Sequence, residues 1–202
     1  MKKNGCRNVG GKQLTVGILS LQGAVNEHLN CLNKIKCKPV VVKKKNQLDQ
    51  LDGLIIPGGE STTIGKLLIE YNYVEKIKNR VNQGMGIFGT CAGLILLANN
   101  ISKSTKTHLG LININVKRNA FGRQVNSFET ELEITELGSK PFPGVFIRAP
   151  EIIETGSSVQ TMAQYNNKKV LARQNRILVA SFHPELTNDL RLHRYFLSLL
   201  KY

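Results

Sequence analysis

Short runs of Val, Ile and Leu alternate along this chain with segments whose apolar residues recur every three or four positions. That alternation predicts strands and helices in turn, the pattern of an α/β sheet. "LTVGILS" (Leu14 to Ser20) reads as a buried strand. "AVNEHLNCLNKI" then places Val25, Leu29, Leu32 and Ile35 near helical spacing, and "KPVVVK" supplies a second strand. Together they make a βαβ unit. "LDGLIIPGG" gives a third strand ending in a Pro-Gly-Gly turn, followed by a helical stretch running to about Asn82. "GMGIFG" is a fourth strand that leads straight into Cys91.

Beyond Asn99 the texture changes. "LGLININVKR", "SFETELEI" and "GVFIRAP" alternate apolar with polar residues, as half-buried antiparallel strands do. A hairpin is expected to turn at Asn166 and Asn167, followed by a strand over Ile177 to Phe182. In the last helix Leu192, Phe196 and Leu200 form one stripe, and His193 is expected on its polar side. No repeat, linker or low-complexity segment divides the chain. The expectation is a basic tail over 1–13 and a single domain over 14–202.

Composition changes this picture little. At 202 residues, with 41 % hydrophobic and 21 % charged, the chain has enough apolar residues for its own core. Its apolar runs fall short of the roughly 20 residues that span a bilayer. The start "MKKNGCRNVGGKQ" is charged but lacks the apolar core of a secretory signal. These features point to the cytoplasm and away from a membrane. The net charge of +14 invites a nucleic-acid reading. The charge is spread out, however, and its one dense cluster, Lys43 to Lys45, comes with no zinc-finger spacing or aromatic RNA-binding signature. A solvated basic surface explains it more simply. No metal cluster and no Gly-rich phosphate loop is visible, so neither a metal nor a cofactor is expected.

Chemistry concentrates at one of the four cysteines. Cys6 lies in the tail, and Cys31 and Cys37 flank the end of the first helix. Cys91 instead sits between a strand and a helix in the arrangement Gly89-x-Cys91-x-Gly93. This matches a nucleophile elbow with sulfur in place of oxygen. The two glycines relieve close contacts around a strained nucleophile, and the Ala92 amide at the helix start points to where an oxyanion forms. On the motif alone, a tight packing turn around a buried thiol is an equal reading. A base has to be found elsewhere. Of the four histidines, His28 falls on a helix, His108 precedes a strand and His193 lies on the last helix. His183 directly follows a strand in "SFHPEL". In an extended segment His183 and Glu185 project to the same side, so the carboxylate can hold the imidazole while its other nitrogen faces the thiol. By itself "His-Pro-Glu" also fits a surface turn. With the elbow it becomes a Cys-His-Glu triad in chain order.

The segments "LSLQGAVNEH", "PGGEST", "GTCAG", "RNAFGRQVNSFE", "FIRAP" and "SFHPEL" resemble the glutaminase subunits of pyridoxal 5'-phosphate synthases, a family of class I glutamine amidotransferases. The likeness runs from about Leu14 to the C-terminus. It implies a three-layer flavodoxin-like fold with a mixed central sheet. It also implies L-glutamine as substrate, with Cys91 attacking the side-chain amide, His183 moving the proton and Glu185 orienting His183. Gly58, Gly59 and Glu60 would bind the substrate, with the Gly59 and Ala92 amides facing the oxyanion and Glu60 facing the α-amino group. Arg118, Ile147 and Arg148 would line the glutamine pocket. Without the resemblance, Gly58 to Glu60 is only a strand-to-helix turn and the arginines are solvated strand ends. The implied partner is a synthase subunit that takes the ammonia into pyridoxal 5'-phosphate, which is a product of the assembly and not a cofactor of this chain. Partner docking is expected to switch the glutaminase on. Two alternatives stand beside this reading: a glutaminase subunit of another pathway, such as imidazole glycerol phosphate synthase, and a non-enzymatic basic binding module.

Overall fold

A computed structural model describes residues 13–104, 106–120 and 127–201. The expected tail therefore lies outside the described residues except for Gln13, as do Cys6 and the stretch 121–126 of the "RNAFGRQVNSFE" segment. The first half runs β1 (Thr15–Leu19), α1 (Val25–Lys34), β2 (Lys38–Val42), β3 (Gly53–Ile56), α2 (Ser61–Glu70), α3 (Tyr73–Asn82), β4 (Gly86–Thr90) and α4 (Ala92–Leu97). The second half runs β5 (Ala98–Ile101), β6 (Ile112–Lys117), β7 (Ser127–Leu132), β8 (Phe142–Ile147), β9 (Glu151–Thr155), β10 (Gln160–Tyr165), β11 (Lys168–Gln174), β12 (Ile177–Ala180) and α5 (Arg191–Leu199).

Ten strands form one sheet in the order β2-β1-β3-β4-β12-β11-β9-β6-β5, with β10 on β11. The β2-β1-β3-β4-β12 portion is wholly parallel. Beyond β12 the pairings to β11, β9 and β6 are antiparallel, and β6 pairs with β5 in parallel. This is the mixed, flavodoxin-like sheet expected from the sequence. β7 and β8 pair antiparallel as a separate two-stranded sheet.

Burial explains the layers. Every residue of β1, β3, β4 and β12 is buried, as continuous apolar strands between two helical layers must be. Ile18, Ile55, Phe88 and Leu178 face one core with Leu32 of α1 and Leu192 and Phe196 of α5. Leu19, Leu54, Ile87 and Val179 face the other, with Ile64 and Leu68 of α2 and Ile77 of α3. Each fully buried leucine-sized side chain contributes roughly 1.5–3 kcal/mol. The hairpin β10–β11 turns where expected, with Asn166 and Asn167 both at positive φ, the conformation a two-residue primed turn demands.

The structure corrects two expectations and adds one strand. The helical stretch to Asn82 is two helices, because Asn72 adopts a left-handed conformation (φ 56°, ψ 40°) that redirects the chain between α2 and α3. The helix after Cys91 ends at Leu97 and passes directly into β5, which buries Ala98 and Ile101. His193 is fully buried, not on a polar face. Its partners belong to other elements, so helical periodicity carried no sign of them.

Candidate active site

The C-terminal ends of β1, β3, β4 and β12 open onto a cavity of about 630 Å³. Parallel strands direct their following loops to this edge, which is where open α/β sheets hold their ligands. The cavity is lined by Gly58, Gly59 and Glu60 after β3, Cys91 and Ala92 after β4, and His183 after β12. Arg118, Ile147 and Arg148 close it from the second half of the chain. Every residue expected at the site lines this cavity except Glu185, which sits behind His183 and is 5 % exposed.

Cys91 occupies the turn between β4 and α4 at φ 48° and ψ −100°. A non-glycine residue at positive φ costs about 1–3 kcal/mol and persists only where its surroundings hold it. Here the Cys91 amide donates to the Ala180 carbonyl at 2.8 Å. The flanking glycines are required sterically. A Cβ on Gly89 would stand 2.6 Å from the Gly93 carbonyl carbon, and one on Gly93 would stand 2.1 Å from the Ile56 oxygen. The turn is therefore a strained elbow, and its sulfur lies 3.8 Å from the Ile147 carbonyl oxygen.

His183 Nδ1 lies 2.8 Å from Glu185 Oε1, and His183 lines the same cavity as Cys91, whose side chain raises the proton affinity of the imidazole. Nδ1 is thus committed to the carboxylate, leaving Nε2 for the sulfur. The extended His-x-Glu geometry expected from the sequence is not the one observed. Pro184–Leu186 form a turn of 3-10 helix with His183 at its N-terminal boundary, because the fixed φ and missing N–H of Pro184 suit a first helical position. The carboxylate reaches the imidazole across that turn. Burial by itself lowers the pKa of His183, but its hydrogen bonds and charge interactions with Cys91 and Glu185 outweigh this and raise it to about 10. The imidazole is accordingly protonated at neutral pH.

The loop after β3 is fixed from both sides. The Gly58 amide donates to Thr90 Oγ1 at 3.1 Å, and the Gly58 carbonyl accepts from the Ala24 amide at 3.2 Å. A Cβ on Gly58 would stand 2.4 Å from His183 Cε1. Gly58→Ala is therefore expected to displace the imidazole and lower kcat on the order of 100-fold, the scale of a roughly 1 Å misplacement, with the fold retained. Steady-state turnover and circular dichroism check this together. Glu60 caps α2: its carboxylate accepts from the Thr63 amide at 2.6 Å and from the Thr62 and Thr63 hydroxyls at 2.5 and 2.6 Å. These hydrogen bonds, from Thr62 foremost, hold its pKa down to about 2. Arg148 is at positive φ (45°), and the buried Nε of Arg118 has no hydrogen-bond partner among the described residues.

With this geometry in place, the comparisons are direct. The sequence profile of the SNO glutamine amidotransferase family matches residues 18–201. The chain belongs to that family. Two curated relatives carry the name pyridoxal 5'-phosphate synthase subunit PdxT. The protein of Pelotomaculum thermopropionicum is 55 % identical over 91 % of this chain and 94 % of its own length. That of Carboxydothermus hydrogenoformans is 51 % identical over 91 % and 96 %. A crystal structure described as a glutamine amidotransferase superposes with a TM-score of 0.88 at 48 % identity, covering 93 % of this chain and 99 % of that one. A chain of PurLQS from Thermotoga maritima shares the fold at a TM-score of 0.73 and 15 % identity, over 94 % of this chain and all of that one.

Two residues not expected from the sequence also shape this site. Gly23 is at φ 106°, and a Cβ there would stand 1.8 Å from the Gly58 oxygen. Its place in "LSLQGAVNEH" was the available signal. Thr90 supplies the hydroxyl under Gly58, and nothing in its sequence position announced that role. Cys31 and Cys37 are buried thiols whose sulfurs donate to the Glu185 and Leu14 carbonyls at 3.9 and 3.3 Å. Among the described residues no helix is long and apolar enough to cross a membrane, and no group of His, Cys, Asp and Glu is placed to hold a metal ion.

Proposed function

We propose that the chain hydrolyses L-glutamine to L-glutamate and ammonia at a Cys91-His183-Glu185 triad. As a member of its family it is the glutaminase subunit of a pyridoxal 5'-phosphate synthase and delivers ammonia to the synthase subunit. The observation that carries the triad is the strained Cys91 elbow sharing one cavity wall with an imidazole whose far nitrogen is held by a buried carboxylate.

The Cys91 sulfur adds to the side-chain amide carbon of glutamine, and the carbonyl electron pair moves onto oxygen. The amides of Ala92 and Gly59 are the donors for that oxyanion. His183 gives its proton to the amide nitrogen, the C–N bond breaks, and ammonia leaves behind a γ-glutamyl thioester. Water then adds to the thioester while His183 takes its proton, and glutamate departs with the thiol regenerated. The guanidinium groups of Arg118 and Arg148 suit the α-carboxylate of glutamine, and the Ile147 backbone borders the reacting end. Glu60 suits the α-ammonium, its carboxylate being already ionised and fixed by the α2 cap.

Residues 14–202 act as one domain in this reading, supported by the ten-stranded sheet, which takes strands from both halves of the chain. A catalytic thiol needs reducing surroundings, which supports the cytoplasm.

The Gly58 carbonyl occupies the Ala24 amide, so the Gly59 amide, trans to it across the peptide, points away from Ala24. A peptide between two glycines turns over at a cost of only a few kcal/mol, within what partner docking supplies. Glutamate release is therefore expected to be low for the isolated chain and to rise when the synthase subunit is in excess at matched salt. Full activity without the synthase would refute this gating and leave the triad standing. No hydrolysis in either condition would refute the glutaminase reading.

A further inference from the structure

Behind the triad lies a row of buried polar groups that the reaction above does not use. His28 of α1 and His193 of α5 are both fully buried, and their rings approach with Nδ1 of His28 3.1 Å from Nε2 of His193. The opposite nitrogen of His28, Nε2, stands 3.2 Å from Thr90 Oγ1 and 3.5 Å from Glu185 Oε2. Oε2 has no hydrogen-bond partner among the described residues, while the other oxygen of Glu185 pairs with His183. Thr90 in turn accepts from the Gly58 amide. A single imidazole thus touches both the carboxylate that holds the base and the hydroxyl that holds the glycine loop.

The tautomers follow from what each atom faces. Burial lowers the proton affinity of both rings, that of His193 to about 3, so both are neutral and each carries one N–H. Nδ1 of His193 is buried without a hydrogen-bond partner among the described residues. An unpaired N–H there costs more than an unpaired lone pair, so the His193 proton sits on Nε2 and is donated to His28 Nδ1. His28 must then carry its own proton on Nε2, directed at Glu185 and Thr90. The opposite assignment would strand an N–H at His193 Nδ1 and turn a lone pair toward the Glu185 carboxylate. Two buried imidazoles also cost more than apolar side chains of equal volume in a pocket floored by Phe88, so core packing alone does not account for them.

We propose that His28, oriented by His193, is a positioning residue for glutamine hydrolysis: its Nε2–H fixes the Glu185 carboxylate and the Thr90 hydroxyl together, aligning the base and the glycine loop in one operation. The inference rests on the glutaminase reading. It places no proton transfer on His28, only orientation.

The test compares His28→Leu, which fills the space without a donor, with His28→Gln, whose amide nitrogen reaches the Nε2 position. Each full-length variant is assayed for glutamate release with the synthase subunit present, alongside wild type and Cys91→Ala. His28→Leu is expected to lower kcat about 10- to 100-fold, the scale of a lost supporting hydrogen bond behind a reactive group, and to leave KM within about twofold. His28→Gln is expected to recover most of that loss. Wild-type kcat in His28→Leu, or equal losses in both variants that follow their melting temperatures, would overturn the proposal. A wild type that releases no glutamate would refute the glutaminase reading instead. A second measurement needs neither activity nor a stable variant: nitrogen-15 shifts of the wild-type imidazoles at neutral pH. Nε2-protonated neutral rings at both His28 and His193 are expected. An Nδ1-protonated ring at either position would overturn the assignment.

Discussion

Cys91→Ala is expected to release no glutamate above background while keeping the wild-type fold. The turn does not need sulfur: its positive φ is imposed by the Cys91 amide bonded to Ala180 and by the tight packing of Gly89 and Gly93, none of which involves the side chain. Alanine carries about the same backbone penalty at φ 48° as cysteine, so the substitution neither relieves nor adds strain there. Among the described residues no other thiol stands in for the lost one, since neither Cys31 nor Cys37 lines the cavity. Removing the nucleophile of such a constellation costs on the order of 10⁶ in kcat. Glutamate release with the synthase subunit present and circular dichroism of the variant check the two halves of the expectation. Appreciable turnover would sink the assignment of Cys91 as nucleophile.

His183→Asn and Glu185→Gln should separate the base from its orienter. Asparagine has no titratable nitrogen, so neither proton transfer survives, and kcat is expected to fall about 10⁶-fold. In Glu185→Gln the imidazole remains and the side-chain oxygen still accepts from Nδ1, but the charge that holds His183 protonated is gone. A smaller loss, about 10⁴-fold, is expected. Burial works against a charged Glu185, yet the facing imidazoles His28 and His183 keep its pKa below the ordinary carboxylate value, so wild type holds that charge at neutral pH. Single-turnover kinetics with saturating glutamine reads both variants. Wild-type rates in either would contradict the assigned roles, and an ordering with Glu185→Gln the more damaged would make the carboxylate more than an orienter.

The sequence made most of the parallel half legible. Its strands are continuous apolar runs and its helices carry clear periodicity, and both signals are local. The Gly-x-Cys-x-Gly elbow was readable for the same reason, because the clash that demands glycine at 89 and 93 arises within one strand-to-helix turn and the Ile56 strand beside it. The Asn166–Asn167 turn is equally local. The break at Asn72 and the strand Ala98–Ile101 were not legible, since asparagine only permits a left-handed conformation and β5 exists by pairing with β6.

Chain order alone determined that Cys91, His183 and Glu185 follow strands or turns suited to a thiol, a base and an orienter. Only the tertiary structure decided that they meet. β4 and β12 are far apart in sequence but adjacent and parallel in the sheet, with Thr90 beside Ala180, and that register brings the residues after each strand to one edge. The 3-10 turn that carries Glu185 to Nδ1 was likewise hidden, because a two-residue spacing is compatible with either an extended segment or a turn. His28 and His193, 165 positions apart, read as ordinary helix residues until α1 and α5 packed on the same face of the sheet. Periodicity reports which side of a helix is buried. It carries no information about which polar groups burial will force to satisfy one another, and that pairing is set by packing between elements distant in the chain.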